Sequence, residues 1–318
     1  MPIKKASAKK NRSANIKSQK FKYINQVVNI ADTHSGCQLA LCPPEVPLDN
    51  GGLYEVSGLQ LKLWHWWEEF WGDWVVRVTK GEPFAVVHNG DPQEGVHHRA
   101  NTQISQNEAD QQRVAEMTLR PVKEKAEGGF YMLRGTNAHG GESDQNTEKL
   151  AKALGAVPEI IGNPKGKDDG IINYSRNELW LRLGGPDGTL IHYLHHIGTS
   201  SSLGYEATAL TKEFEQSLVE AARWGYPPPD FIVRAHRHRH FKMEIATRNV
   251  YGIAEILPGW QLKTPLVWRI AGARLTTPQC GGTLIRRGDR EHYSVAKVWS
   301  INRTPEVVAM EIPMVRAK

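Results

Sequence analysis

Residues 23–34 read YINQVVNIADTH, an apolar-rich run that is followed directly by Asp32, which carries a carboxylate, and by His34, which carries an imidazole. A short run of this kind, rich in Val and Ile and followed by polar residues, predicts a buried β-strand over residues 23–30. Four later runs have the same form and pass into polar turns that contain glycine or histidine; they are residues 83–87, 130–133, 190–194 and 231–233. The sequence therefore predicts five buried strands that end next to reactive side chains.

Helical patterns lie between these strands. The predicted helices cover residues 61–74, 103–125, 143–154 and 210–222. Ser143 is expected to cap the third of them, and Gly155 and Gly225 to end the third and fourth. Strands that alternate with helices predict an α/β fold. The tryptophans of residues 64–74 could form a base-stacking platform, but bulky side chains at helical spacing favour a stripe that faces the core.

From about residue 241 the pattern changes to short β-like runs separated by glycine and proline. The predicted strands are residues 243–246, 250–256, 266–270, 283–285 and 293–301. We expect them to complete a second sheet that stacks on the first, because one domain of this length can bury a sizeable core.

The net charge of +6 is unevenly distributed. Residues 1–22 contain eight basic residues and no acidic one, whereas the rest of the chain has 32 basic and 34 acidic residues. Because Ser, Ala and Asn fill much of the remainder, residues 1–22 predict a disordered basic tail ahead of a domain over residues 23–318. Such a tail would be attracted to nucleic acid, or it would serve only to keep the terminus soluble.

The cysteines, Cys37, Cys42 and Cys280, have neither the number nor the spacing of a disulfide framework. We therefore expect inert, buried thiols and a cytoplasmic protein. No apolar run approaches the roughly 20 residues that span a bilayer, so no membrane contact is expected.

Polar side chains follow all five predicted strands at the point where each strand ends. In an open α/β sheet, ligands bind beyond the carboxyl ends of the strands, so clusters that are distant in sequence can converge there. The clusters are Asp32-Thr33-His34, Gly90-Asp91, Gly135-Thr136-Asn137-Ala138-His139, His195-His196 and His236-Arg237-His238. Each cluster alone can occur by chance, and their joint, ordered occurrence is what indicates a shared site.

These residue types fit a pair of divalent cations. Two cations about 3.5–4 Å apart need a shared anion between them, and we expect Asp91 to supply it. Neutral imidazoles and an amide oxygen complete the ligand shells without cancelling the charge of the ions, which then activates a bridging water. Such mixed ligation suits Mn²⁺, the expected ion, or Fe, Zn, Ni or Co better than the all-oxygen sites of Ca²⁺ or Mg²⁺.

The ordered set resembles the calcineurin-like metallophosphoesterase superfamily, whose pattern is Asp-x-His, Gly-Asp, Gly-Asn-His, a His after a strand, and Gly-His-x-His. The resemblance runs from about residue 23 to residue 240. It implies two stacked mixed β-sheets flanked by helices, which is a four-layer αββα sandwich, with a dinuclear metal site at the carboxyl ends of the strands. The sequences of residues 89–91, 95–98 and 258–261 are most similar to those of members encoded by phages and prophages.

Matched position by position, the resemblance assigns metal ligands and a proton donor. The first metal would be held by Asp32, His34, Asp91 and His238. The second would be held by Asp91, Asn137, His195 and His236. His139 would protonate the leaving group, although the third motif departs from the family pattern through the added Thr136 and Ala138. In the fourth motif His196 is an alternative to His195, and in the fifth Ala235 replaces glycine.

The predicted function is hydrolysis of a phosphoester by a hydroxide that bridges the two ions. Arg134 and Arg237 could clamp the phosphate, or they could be ordinary surface arginines. The basic tail and the arginines favour a phosphodiester in DNA or RNA as the substrate. The alternatives are a phosphomonoesterase that acts on proteins or nucleotides and, from another class, a nucleic-acid-binding module without catalysis.

Overall fold

The computed structural model describes residues 23–162, 170–198, 203–246, 251–269, 276–288, 291–301 and 307–308. The predicted basic tail, residues 1–22, lies outside the described residues. The strands are β1 (Gln26–Ile30), β2 (Glu45–Pro47), β3 (Leu53–Glu55), β4 (Ala85–Asn89), β5 (Phe130–Leu133), β6 (Glu159–Ile161), β7 (Ile171–Asn173), β8 (Ser175–Arg176), β9 (Leu179–Leu183), β10 (Thr189–Tyr193), β11 (Phe231–Arg234), β12 (Phe241–Ala246), β13 (Tyr251–Ile256), β14 (Gln279–Arg287) and β15 (His292–Ser300). The α-helices are α1 (Gly58–Glu69), α2 (Val75–Thr79), α3 (Glu108–Lys125), α4 (Asn137–Gly140), α5 (Gln145–Leu154) and α6 (Leu203–Trp224).

Two mixed sheets form the centre of the molecule. The first has the strand order β15-β14-β1-β4-β5-β8, in which the strands from β1 to β8 are parallel and β14 and β15 are antiparallel. The second has the order β12-β13-β11-β10-β9, with parallel central strands and an antiparallel strand at each edge. All five strands predicted to carry the site residues are present, and the parallel strands of each sheet end at one edge of that sheet.

The layers follow from the alternation of side chains along the strands. In β1, Val27 packs into an apolar cluster shared with Ile191 and Phe231 of the second sheet, whereas the adjacent Val28 packs against α1, α3 and α5. This is the two-residue period of a strand that is buried on both faces. On the far side of the second sheet, α6 contributes Phe214 to a third cluster. The structure thus has the four-layer order of helix, sheet, sheet and helix that the resemblance implies.

The tryptophan-rich stretch belongs to the core. Trp67 lies in α1, and Trp71 and Trp74 lie in a π-helical stretch, Phe70–Trp74, that joins α1 to α2. All three are at least 94% buried against the outer face of the first sheet. The other two tryptophans of this stretch, Trp64 and Trp66, are partly exposed. A core-facing stripe therefore describes this segment better than a base-stacking platform does.

Three details differ from the sequence-based expectations. Residues 266–269 form a turn with a 3-10 segment, Val267–Arg269, and not a strand. Ser143 does not cap α5, because it has a left-handed φ of 54° within a 3-10 turn and the helix starts after Asp144. The C-terminal strands do not all join the second sheet, since β14 pairs with β1 and so covers the edge of β1 that β4 leaves open.

The cysteines are buried and unpaired, as predicted. Burial raises the pKa of Cys37, Cys42 and Cys280 to about 12, so these thiols are unreactive at neutral pH. Within the described part of the chain, no helix has both the length and the apolar composition needed to cross a bilayer.

A chain of polar side chains crosses the space between the two sheets. Tyr193 donates from its hydroxyl to Asn29 at 2.9 Å, Asn29 donates to the Thr283 hydroxyl at 3.1 Å, and Thr283 donates to Glu255 at 2.8 Å. Glu255 is fully buried. Burial raises its pKa above the ordinary value, although hydrogen bonds from Thr283 and Ser294 oppose the change.

We expect Glu255→Gln to stabilise the protein increasingly as the pH rises. A carboxyl whose pKa is raised on folding binds more protons in the folded state than in the unfolded state, so stability is lost as the pH rises through the folded pKa. Glutamine keeps the shape and the acceptor for Thr283 but cannot ionise. The thermal midpoints of variant and parent, compared at about pH 4.5 and about pH 8, measure the effect. The exposed Glu124→Gln in α3 is the control, and an equal difference at both pH values would contradict the account.

Candidate metal centre

Turns from both sheets meet at one place. The turn after β1 is tied to the turn after β4, because Asp32 N–H donates to the Gly90 carbonyl at 3.0 Å and His34 N–H to the Asp91 carbonyl at 3.1 Å. The turn after β11 is joined to the first sheet by the His236 N–H, which donates to Asp32 Oδ2 at 3.2 Å. The carboxyl ends of strands in two sheets therefore place their side chains around a common space.

The first cluster at this place consists of Asp32, His34 and His238. The Nε2 atoms of His34 and His238 are 3.1 Å apart. Asp32 Oδ1 lies 3.4 Å from Nε2 of His238 and 3.9 Å from Nε2 of His34. One ligand atom from each residue therefore faces the same point, and these are three of the four residues that the family resemblance assigns to the first metal.

The second cluster consists of Asp91, His195 and His236. Asp91 Oδ2 lies 3.1 Å from Nε2 of His195, and the His195 and His236 rings have centroids 5.4 Å apart. The exposed His196 lies beside this cluster, with its ring 4.7 Å from that of His236, and belongs to neither cluster. The structure thus brings His195 rather than His196 together with Asp91.

Asp32 stands between the two clusters. Its Oδ1 is also 3.9 Å from Nε2 of His195, so this one oxygen faces imidazoles of both groups. The atom is fully buried and has no hydrogen-bond partner, which is costly for a carboxylate. Ligands bonded at 2.0–2.2 Å to one ion lie roughly 3–3.5 Å apart, close to the spacing seen here. The residues therefore fit divalent cations, with Asp32 as well as Asp91 as a candidate for the shared anion.

Hydrogen bonds fix which imidazole nitrogen faces the clusters. His34 Nδ1 lies 3.1 Å from Glu94 Oε2, and His195 Nδ1 lies 2.7 Å from the Asn89 carbonyl oxygen. Because the carbonyl and the ionised carboxylate only accept, each Nδ1 must donate, and Nε2 of the neutral ring carries a lone pair. This is the outer-partner arrangement that orients histidine ligands of metals.

Carboxylates and imidazoles of opposite charge stabilise each other's ionised forms at this site. Burial alone would raise the pKa of Asp32, but the charges of His238 and His195 lower it to about 2. Burial would lower the pKa of His195, but the charge and hydrogen bond of Asp91 raise it to about 9. His195 therefore holds a proton at pH 7 where no cation is bound, and a bound cation would take the place of that proton.

The backbone at these turns is strained. Left-handed φ angles are found at five of the predicted ligands: Asp32 (52°), His34 (41°), Asp91 (50°), His236 (71°) and His238 (46°). A non-glycine residue in this region costs about 1–3 kcal/mol and persists only where the surroundings over-determine it, as they do at functional sites. The placement of these side chains, and not the conformational preference of the backbone, therefore determines the φ angles of these turns.

The third motif enters the site in an unexpected way. Thr136, and not Asn137, contacts Asp91: its N–H donates to Asp91 Oδ1 at 2.7 Å and its hydroxyl lies 3.2 Å from the same oxygen. Asn137 is exposed and lines a neighbouring pocket with Glu142 and Ser143. Asn137 does not line the cavity over the clusters, because its side chain is exposed at the start of α4.

A glycine makes the contact of the third motif possible. A Cβ added to Gly135 would lie 1.9 Å from Asp91 Oδ1, so no larger residue can pass so close to this carboxylate. The requirement for glycine at this position of the motif is thus steric and not conformational.

The single turn of α4 brings His139 over the first cluster. Its ring lies edge-on to that of His34 with centroids 4.4 Å apart, and its Nδ1 donates to the Glu94 carbonyl at 2.5 Å. Nε2 is therefore the nitrogen that can carry a proton to or from a substrate. Burial, followed by the charge of His34, lowers the pKa of His139 to about 4, so the ring is neutral at pH 7 and a bound anion would have to raise its pKa before it acts as an acid.

The two candidate phosphate-binding arginines have different surroundings. Arg134 donates to the Ser175 hydroxyl at 3.1 Å and lies 3.9 Å from Glu148, and it does not line the cavity over the clusters. Arg237 lines that cavity and donates to the Gly198 carbonyl at 2.9 Å. Only Arg237 is thus placed to meet a bound phosphate.

Glu94 was not predicted from the sequence, yet its side chain contacts three other site residues, and with His34 and His139 it forms a further group of possible ligands that shares His34 with the first cluster. It is 99% buried, accepts from Gln261 at 2.7 Å, and faces His34 at 3.1 Å and His97 at 3.3 Å. Burial would raise its pKa, but hydrogen bonds from His34 and His97 lower it to about 2. Its position three residues after Asp91 is the only sign in the sequence, because acidic residues are common in surface turns.

We expect Glu94→Gln to weaken binding of Mn²⁺ by about 10–100-fold, the usual cost of losing the outer partner of a histidine ligand. The neutral amide would orient His34 less strongly and would not stabilise its Nδ1 proton. Titration calorimetry of the demetallated protein measures the affinity, and Glu116→Gln, in an exposed pair with Arg120, is the matched control. An unchanged affinity would mean that Glu94 only fills space beside His34.

No protein-family model matches the sequence, and no curated protein matches it either. Among solved structures, the chain is similar to vacuolar protein sorting 29 from Cryptosporidium parvum, with 10% identity over 88% of this chain and 100% of that one and a TM-score of 0.32. It is also similar to the sulfate thiohydrolase SoxB from Thermus thermophilus, solved with glycerol, with 11% identity over 89% of this chain and 58% of that one and a TM-score of 0.34. At these TM-scores neither likeness supports a particular fold or activity for this chain.

Proposed function

We propose that this protein is a phosphoester hydrolase of the calcineurin-like metallophosphoesterase type that uses two divalent metal ions. The observation that carries the proposal is the buried, unpartnered Asp32 Oδ1, which faces imidazoles of two separate Asp/His clusters at 3.4–3.9 Å. A buried carboxylate oxygen without a donor needs a cation, and two clusters that share it suit a pair of cations.

The proposed ligands are distributed between the two ions as the clusters are. Asp32, His34 and His238 would hold one ion, and Asp91, His195 and His236 the other. When bound, such ions activate water and neutralise charge on a phosphoryl group. Mn²⁺ is the proposed ion, with Fe, Zn, Ni or Co as alternatives, because imidazole and carboxylate ligands are mixed.

The remaining residues of the cavity have roles that do not depend on the choice of ion. Arg237 can donate to a phosphoryl oxygen at the cavity wall. His139, held through Nδ1 by the Glu94 carbonyl, presents Nε2 for transfer of a proton to the departing oxygen. Thr136 holds Asp91 in place through its N–H and hydroxyl groups.

The proposed substrate is a phosphodiester in DNA or RNA. The basic residues of 1–22 and the cationic Arg237 support an anionic polymer. A phosphomonoesterase acting on proteins or nucleotides would use the same site and is the second candidate. The likeness to phage-encoded members remains a sequence-based prediction.

A hydrolysis panel tests the proposal. Demetallated protein, reloaded with Mn²⁺, is incubated with bis-p-nitrophenyl phosphate, single-stranded DNA, duplex DNA, RNA, cyclic nucleotides and a phosphopeptide. We expect metal-dependent hydrolysis of the aryl diester and of at least one nucleic acid. Hydrolysis of the phosphopeptide alone would favour the phosphomonoesterase, and the absence of turnover with Mn²⁺, Ni²⁺ or Zn²⁺ would favour the non-catalytic binding module.

A further inference from the structure

The cavity above the metal centre has two unlike sides. Its volume is about 280 Å³. One side is formed by the histidines and carboxylates of the site. The other side is formed by residues 261–264, 266 and 267, with Thr276 and Pro278, from the segment that follows β13. A phosphoryl group needs only the first side, so the second side is available to another part of a substrate.

The segment that forms the second side is fixed to the site itself. Trp260 N–H donates to the Asp32 carbonyl at 2.9 Å, and Leu262 N–H donates to the Leu39 carbonyl at 2.8 Å. A Cβ added to Gly259 would lie 2.9 Å from the His238 ring and 3.0 Å from Asp32. The Gln261 side chain donates to Glu94 at 2.7 Å. The second side is thus held at a defined distance from the proposed ligands.

The second side combines four apolar residues with Gln261, Thr264, Thr276 and the cationic Lys263. Leu262, Leu266, Val267 and Pro278 face the cavity. Lys263 lines the cavity as well, and its ammonium lies 3.9 Å from the centroid of the Trp268 ring. Leu266, Val267 and Pro278 are partly exposed, so a ligand that covers them removes apolar surface from water, whereas Leu262 is already buried. Such a surface suits a group that is flat, largely apolar and attached to an anion.

We propose that this second side, called the apolar wall and defined by Leu262, Leu266, Val267 and Pro278, binds the nucleoside attached to the scissile phosphate. The inference deepens the proposed hydrolase function and rests on it. A nucleobase has an apolar face for the wall, and the adjacent phosphate of a polynucleotide would meet Lys263. A phosphoserine side chain carries no flat apolar group with which to cover the wall.

Binding of two anions tests the wall without any need for turnover. Thymidine 5′-monophosphate and methyl phosphate carry the same phosphoryl group, and only the first carries a nucleoside. Titration calorimetry of the Mn²⁺-loaded protein is expected to show binding of the nucleotide at least about tenfold tighter. In Leu266→Ser/Val267→Ser the ratio should fall towards one, whereas Val76→Ser, on the exposed face of α2, should keep it.

Turnover of two esters separates this inference from the proposed function. Thymidine 5′-(p-nitrophenyl phosphate) and methyl p-nitrophenyl phosphate lose the same p-nitrophenolate anion, while the oxygen of water bonds to phosphorus and its proton passes to solvent. We expect kcat/KM to favour the thymidine ester by about tenfold in the parent protein and less in the double variant. Tighter nucleotide binding with no hydrolysis of either ester would uphold the wall and contradict the hydrolase.

Equal binding of the two anions by the parent protein would overturn the wall, whatever the activity. An unchanged binding ratio in a double variant that keeps its manganese content would overturn it as well. Should that variant fail to fold, Pro278→Ser alone is measured in the same way, and a parental ratio would again contradict the proposal.

Discussion

Replacement of Asp91 by asparagine is expected to lower the turnover of bis-p-nitrophenyl phosphate by more than about 100-fold. Loss of a residue that only orients a metal ligand costs up to about 100-fold, and loss of a ligand itself should cost more. Asp91 is 99% buried beside His195, and burial, which would raise its pKa, is outweighed by the charges of His195 and His139. The carboxyl is therefore ionised throughout the neutral range. Asparagine keeps the size and the acceptor for Thr136, so the effect reports the lost negative charge and not lost packing.

The control for this prediction is Asp73→Asn, which removes an equal charge from an exposed pair with Arg77. Exposed pairs contribute at most about 1 kcal/mol, and turnover should stay at the parent level. Steady-state kinetics at saturating Mn²⁺, with metal content measured on the same samples, provides the comparison. Near-parental turnover by metal-loaded Asp91→Asn would remove Asp91 from the proposed ligands.

Addition of Mn²⁺ to the demetallated protein is expected to raise the thermal midpoint by about 5 °C or more. A ligand that binds only the folded state at 100 times its Kd stabilises by about 2.7 kcal/mol, and each kcal/mol shifts the midpoint of a large domain by about 2 °C or slightly less. Two ions contribute together. The physical reason is that Asp32 Oδ1, buried and without a donor, would gain a cation as its partner.

Removal of Asp32, which faces both clusters, together with His238 should reduce this shift by at least about half. We therefore expect Asp32→Asn/His238→Ala to respond much less to Mn²⁺ than the parent protein. His65→Ala, on the exposed face of α1, is the control and should retain the full response. Calorimetric scans with Mn²⁺ and with a chelator measure both, and a full response in the double variant would show that the ions bind elsewhere.

The strands and their ends could be predicted because each strand is buried on both faces. That burial produces short runs such as residues 26–30, which differ from the polar turns on either side. Parallel strands end at one edge, so Asp32, Asp91, His195 and His236 could be expected together from sequence position alone. The pairing of β14 with β1 left no such sign, since a short apolar run does not reveal its partner.

The residues that support the ligands could not be predicted in the same way. Glu94 and Gln261 meet at 2.7 Å although 167 positions separate them, and neither lies in a periodic pattern. Thr136 and Asn137 are neighbours in the sequence, and only the start of α4 decides which of them faces Asp91. Sequence position identifies the edge of the sheet, whereas the contacts of the loops decide which side chains reach the site.

The most direct test of the two-cation centre is the manganese content of the purified protein. After removal of metals, reloading with Mn²⁺ and desalting, inductively coupled plasma mass spectrometry gives the number of ions per chain. The two clusters predict two ions per chain in the parent protein and about one or fewer in Asp32→Asn/His238→Ala. A parent protein that retains no manganese, and no other transition metal under the same treatment, would contradict the account.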